Sequence, residues 1–183
     1  MLEIKKTEYR ENIESFAIAV LTILFIIIFI IQSFLVSGTS MVPTLLDRER
    51  LIVCKFIYWF EPPRTGDIIV LKPPKDTRKY IKRVIGKPGD SVEIKNSKVY
   101  LNGIELNEPY INEKTLQDYP YTTVPKDMLF VMGDNRNYSL DSRSSEVGFI
   151  PLRNVVGKAV FVFWPLTKVK IIFNPKYPEG VNY

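Results

Sequence analysis

FAIAVLTILFIIIFIIQSFLV occupies residues 16–36, and SGTSMVPT, residues 37–44, follows it without a break. The run carries no charge, and Thr22, Gln32 and Ser33 are its main polar interruptions. At about 1.5 Å per residue it makes roughly 31 Å of helix, enough to cross the hydrocarbon core of a bilayer. A cleavable signal peptide would carry an apolar core of about 7–15 residues behind a basic leader. Here the core is longer, and the leader sets Lys5, Lys6 and Arg10 against Glu3, Glu8, Glu11 and Glu14. A buried soluble helix would need more surrounding chain than follows. The expected organisation is a tail over residues 1–15, a transmembrane helix over residues 16–36, and one domain over residues 37–183. Arg48, Arg50 and Lys55 after the run match the three basic residues before it, so the positive-inside rule gives no orientation. A cytoplasmic tail with an extracytoplasmic domain is compatible with that tie.

Composition narrows the chemistry. The 183 residues suit one domain plus an anchor, and ten Tyr with eleven Phe favour strands. The net charge is +5 with a formal −1 in the tail, so the part after the apolar run holds +6, which would suit anionic headgroups or nucleic acid. The chain contains no histidine, which excludes Ser-His and Cys-His catalysis and every His-containing metal site. The single cysteine, Cys54, forms no intrachain disulfide and sits in an apolar strand pattern.

Beyond Thr44 the pattern is β. Short apolar runs at residues 50–55, 67–71, 80–86, 91–95, 98–101, 104–106, 129–132, 158–163 and 168–173 are punctuated by Gly, Pro, Asn and Asp. Asn102-Gly103 is a two-residue hairpin signal and Asn96-Ser97 a weaker one, so residues 91–106 read as a meander within a sub-domain excursion over residues 90–124. The fold expected is mostly β: an antiparallel sheet domain with a small β insertion behind one helix.

Three clusters could carry chemistry. Ser40, in a small-residue turn stiffened by Pro43, is either a turn serine or a nucleophile. Without histidine such a nucleophile needs another base, and lysine is the usual substitute. Lys82 shares a strand face with Tyr80 and Val84, opposite Ile81, Arg83 and Ile85, and is either exposed or buried and neutral. A free lysine is neutral in only about one molecule in 2,500 at pH 7, so a basic role needs burial. Residues 132–143 form a long polar loop in which Asp141 and Arg143 could pair and Ser139 could orient an amine.

These residues resemble a family. Ser40-Met41-Val42-Pro43-Thr44, Lys82-Arg83 with Gly86-Lys87-Pro88-Gly89-Asp90, and Gly133-Asp134-Asn135-Arg136 through Ser139, Asp141 and Arg143 together resemble the bacterial type I signal peptidases. Arg64-Thr65-Gly66-Asp67 resembles a further box of that family, with Thr65 inserted. The resemblance implies a membrane-bound serine endopeptidase that removes signal peptides after small residues, of Ala-x-Ala type. It implies Ser40 as nucleophile, Lys82 as general base, Ser139 as a hydrogen-bond partner of the lysine, and Asp141 with Arg143 as the brace of the loop. Met41, Leu45, Tyr80 and Ile81 would line the pockets for small side chains. Gly38 departs from members that carry a hydroxyl there, leaving the Ser40 backbone N–H as the one identified oxyanion donor. The implied partners are preproteins and the bilayer of the cell membrane, with no cofactor, no metal and no nucleic acid.

Two rivals stand beside it. A self-cleaving Ser–Lys protease of SOS-repressor type would share the dyad but be soluble. A membrane-tethered β binding module without catalysis could use Lys72, Lys75, Arg78, Lys79, Lys82, Arg83 and Lys87 as a basic stripe. Residues 56–60 and 161–164 are aromatic stretches that suit either the headgroup region or the core.

Overall fold

The computed structural model describes residues 2–25 and 31–177. Helix α1 (Leu2–Phe25) precedes β1 (Ile31–Leu35) and β2 (Arg50–Cys54), then a single turn of helix, α2 (Ile57–Phe60). There follow β3 (Ile68–Leu71), β4 (Tyr80–Gly86), β5 (Ser91–Lys95), β6 (Lys98–Leu101), β7 (Ile104–Glu105) and β8 (Tyr119–Thr123). The described chain closes with β9 (Met128–Met132), β10 (Ile150–Pro151), β11 (Val155–Trp164) and β12 (Lys170–Ile171).

All pairings are antiparallel. The main sheet runs β1-β2-β11-β3-β4-β9-β10, with β12 added against β11, and a second sheet runs β7-β6-β5-β8. β3 explains why the main sheet is covered on both faces. Its sequence Ile-Ile-Val-Leu is apolar at every position, so the pleat sends Ile68 and Val70 to one cluster and Ile69 and Leu71 to another. The second sheet buries its own apolar face. Val92, Ile94, Val99 and Leu101 pack with Ile85, Phe130 and Met132 of the main sheet. Its hairpins follow from the residues that tolerate positive φ. Asn96 and Ser97 have φ of 52° and 63°, and Asn102 and Gly103 have 53° and 79°, as two-residue turns of this twist demand.

The expected transmembrane helix over residues 16–36 is corrected in part. Ile31–Leu35 is a strand, paired with β2 in the register Ile31↔Cys54 to Leu35↔Arg50. Residues 26–30, the middle of that expected span, lie outside the described residues. No helix among the described residues is long and apolar enough to cross a membrane. The reason is physical: an uninterrupted apolar run has no periodicity to separate helix from strand, and β2 offers its ladder to the β-branched and aromatic end of the run. Other elements were not anticipated. β8 contains Pro120, which hides it as a strand signal, and α2 takes up the first aromatic stretch. The expected strand at 168–173 shrinks to Lys170–Ile171.

Gly157 lets β11 lie close to β2, since a Cβ there would stand 2.6 Å from the Cys54 carbonyl oxygen and 2.8 Å from Val53. Gly157→Ala is expected to lower stability by about 1–3 kcal/mol through forced separation of these strands. A fall in the urea midpoint at unchanged m-value checks this.

Candidate active site

The turn that follows β1 is fixed at both ends. Val36 donates its N–H to Glu49 O and accepts from Arg48 N, while Leu45 N donates to Met41 O. Ser40 sits at the crest of this turn, half-buried. The loop after β9 holds it from beside: Asn135 donates its backbone N–H to Ser40 O at 3.0 Å and its side-chain amide to Thr39 O at 3.0 Å.

β4 delivers Lys82 to the same point. Its Nζ stands 2.8 Å from Ser40 Oγ and 3.1 Å from the Ile81 carbonyl oxygen, and the residue is only 4% exposed. Burial pushes the Lys82 amine down from the ordinary 10.5 to about 8, with Arg143 adding to the fall and Asp141 and Asp134 opposing it. At pH 7 roughly one molecule in ten then carries a neutral lysine, a gain of about 300-fold over the free side chain. A neutral amine at hydrogen-bond distance can take the proton of a hydroxyl.

The loop from Gly133 to Arg143 is braced by charge. Arg143 grips Asp141 through two bonds of 2.8 Å and donates to Arg136 O, and the Asp141 carboxylate accepts from Gly133 N at 2.9 Å. Ser139 comes against Gly133, but its buried Oγ has no hydrogen-bond partner, where the family resemblance would have it bond the Lys82 amine. Gly38, exposed, at φ +93° and at the cleft's edge, donates its N–H to Asp47 at 2.8 Å, so that group is engaged in the turn.

A cleft of about 560 Å³ opens at Ser40 and Lys82. Met41, Tyr80 and Ile81 line it, together with Phe34, Val70 and Leu140, which sequence reasoning did not single out. Leu45 does not line the cleft. It is fully buried in the same apolar cluster as Met41.

Sequence reasoning also missed the charges beneath the site. Arg83, on the opposite face of β4 from Lys82, grips Asp134 through bonds of 2.8 and 2.6 Å, and Thr44 donates its hydroxyl to the same carboxylate. Arg83 also donates to Gly66 O and stacks 3.9 Å from the centre of the Tyr110 ring. Arg136 pairs with Glu108 at 2.7 Å and returns to Gly133 O. The signal was available: Arg83 falls on the inward face of an alternating strand, where an arginine requires a counter-charge. The basic stripe dissolves in the fold, with Lys82 and Arg83 buried, Arg78 paired to Asp76, and Lys75 donating to Ser145 O.

The chain matches known proteins along most of its length. The family model described as "Signal peptidase, peptidase S26" matches residues 9–164. The chain is 38% identical to "Signal peptidase I" of Bacillus licheniformis over 91% of this chain and 94% of that protein. It is 40% identical to "Probable signal peptidase I-1" of Synechocystis, over 87% of this chain and 84% of the relative. Among solved structures, a signal peptidase I of Enterococcus faecalis V583 is similar at 36% identity and a TM-score of 0.49, covering 54% of this chain and 97% of its own.

Two stability measurements probe the site without reference to turnover. Asp134→Ala leaves Arg83 charged and unpaired in the interior and is expected to cost about 3–5 kcal/mol, read from urea unfolding. Lys82 has the opposite sign. The folded protein holds the Lys82 proton less tightly than the unfolded chain, so burial costs stability below pH 8, and the cost fades as pH rises from about 8 to 10.5. Lys82→Met should therefore raise stability at pH 7 by up to about 3 kcal/mol and remove that rise with pH.

Proposed function

The chain belongs to the signal peptidase family, peptidase S26, and from that premise we propose that it cuts N-terminal signal peptides from exported preproteins with Ser40 as nucleophile and Lys82 as general base. The observation that carries this reading is the 2.8 Å approach of a buried, desolvated lysine to the Ser40 hydroxyl in a chain without histidine.

In the proposed reaction the neutral Lys82 amine accepts the Ser40 hydroxyl proton as Oγ attacks the scissile carbonyl carbon. The tetrahedral oxyanion forms beside the Ser40 backbone N–H. Collapse breaks the C–N bond, the Lys82 ammonium returns its proton to the leaving amine, and the signal peptide remains as an ester on Ser40. Water then attacks the ester carbonyl as Lys82 takes its proton, and on collapse the C–Oγ bond breaks and Lys82 returns that proton to Ser40 Oγ, releasing the signal peptide's new carboxyl group. Asp141 and Arg143 hold the loop against which Ser40 is set. The cleft wall of Met41, Tyr80 and Ile81 favours small side chains next to the cut, the Ala-x-Ala type.

The site meets its substrate at a lipid surface in this reading. The apolar side chains Phe16, Ile18, Leu21, Ile23 and Leu24 of α1 are exposed, and a single uncharged run leads from them toward the Ser40 turn. Exposed Trp59 and Phe60 of α2 have the chemistry of the headgroup region. A signal peptide has its cut beside its own apolar segment, so an enzyme with lipid contact next to the nucleophile gains effective concentration.

Cleavage of a preprotein bearing an Ala-x-Ala site, in lipid or detergent, tests the reading. The wild type should cut after the second alanine, and Ser40→Ala and Lys82→Met should lose activity while remaining folded. For the wild type, kcat/KM should rise with pH through about 8, where Lys82 gives up its proton. A bound peptide excludes further water, so the midpoint for kcat is expected to fall below that for kcat/KM. Full activity in Lys82→Met would overturn the assignment of the base.

A further inference from the structure

A second cavity of about 340 Å³ adjoins the cleft, and the two share only Arg78, Tyr80 and Leu140 in their walls. Tyr80 is the partition between them. One side of its environment is the Lys82 amine, whose Nζ lies 5.3 Å from the ring centre, and the other is a charged loop. In that loop Asp76 accepts from the Tyr80 hydroxyl at 2.8 Å. Arg78 in turn holds the Asp76 carboxylate through Nη2 at 2.7 Å and Nε at 3.0 Å, and its guanidinium stands 5.9 Å from the Tyr80 ring centre. Lys75, on the same loop, is anchored by its bond to Ser145 O at 2.9 Å.

This is more hardware than an exposed turn needs. Neither Asp76 nor Arg78 supports the core, and the bonds converge on one ring that faces the reacting amine. A tyrosine ring turns about two side-chain torsions, and freeing its hydroxyl would let it swing toward the second cavity and join the two spaces. Resting on the peptidase reading given above, we propose that Asp76 and Arg78 are positioning residues for substrate specificity: they pin Tyr80 as the wall that limits the side chain accepted just before the cut. The small-residue requirement would then be imposed by a charged latch outside the cleft as well as by the apolar residues within it.

The test compares two preproteins that differ only in the residue before the cut, Ala in one and Leu in the other. For wild type, Asp76→Ala, Tyr80→Phe and the double variant, the ratio of kcat/KM between the two substrates is measured. The wild type should favour Ala strongly. Asp76→Ala and Tyr80→Phe should each shrink that ratio by about tenfold or more, chiefly through a lower KM for the Leu substrate. The double variant should shrink it no further than either single change, because both remove one bond. Asp76→Asn keeps an acceptor for the hydroxyl and should recover part of the selectivity. An unchanged ratio in Asp76→Ala, or an equal loss of kcat on both substrates, overturns the latch. A folded wild type that cuts neither substrate overturns the peptidase reading, and the latch with it, which distinguishes the two failures.

Discussion

The Asp134 carboxylate is the constraint on which the site depends. It receives the guanidinium of Arg83 and the hydroxyl of Thr44, and so fastens together the strand that carries Lys82, the turn that carries Ser40 and the loop that closes over both. Each of those segments is far from the others in sequence: a ladder through Arg83 and Met132 joins β4 to the strand that enters the loop, while the Ser40 turn is held to them by Asn135 N on Ser40 O and by this carboxylate. A buried ion pair contributes little net stability by itself, because desolvation offsets attraction. Its value here is placement. Pairing on one side of β4 leaves the other side to Lys82, and there burial keeps the amine's affinity for protons low, although Asp141 and Asp134 pull the other way.

Around this centre the charges are arranged as braces. Arg143 with Asp141 holds one end of the Gly133–Arg143 loop, and Arg136 with Glu108 ties its middle to the connection between β7 and β8 of the second sheet. Asn137 extends the same connection through its amide to Glu113 and to the Lys114 carbonyl. The second sheet, which carries none of the proposed catalytic groups, thus acts on the cleft by fixing the loop that supports it.

Much of the β architecture was legible because its turns announce themselves. β4, β5 and β6 have the bounds read from sequence, since Asn96-Ser97 and Asn102-Gly103 leave the chain little choice of where to reverse. Alternation along β4 also separated Lys82 from Arg83 correctly, although it could not say that both faces are buried. The strand Ile31–Leu35 was illegible for the opposite reason: hydrophobicity without period says that a segment is buried or wants to be, not in what conformation. Leu45 was placed at the cleft by likeness to a family and lies in the core instead. Asp76 and Glu108 carried no motif of their own, Arg78 was read as part of a basic stripe and Asp134 as part of a loop motif, and their partners, brought near by folding, give them meaning.

Gly133 shows how such a site can be fragile at its least functional residue. A Cβ there would collide with Ser139 and with the Ser40 carbonyl oxygen, so the loop and the Ser40 turn touch across a space that only hydrogen fits. Many residues around the cleft could trade one side chain for another and leave the enzyme with altered taste but intact machinery. Gly133 admits no such trade, for it works as a gauge block, setting by its thinness the distance at which everything else is mounted. Any change made in the cleft wall is therefore mounted on a position that itself admits no side chain.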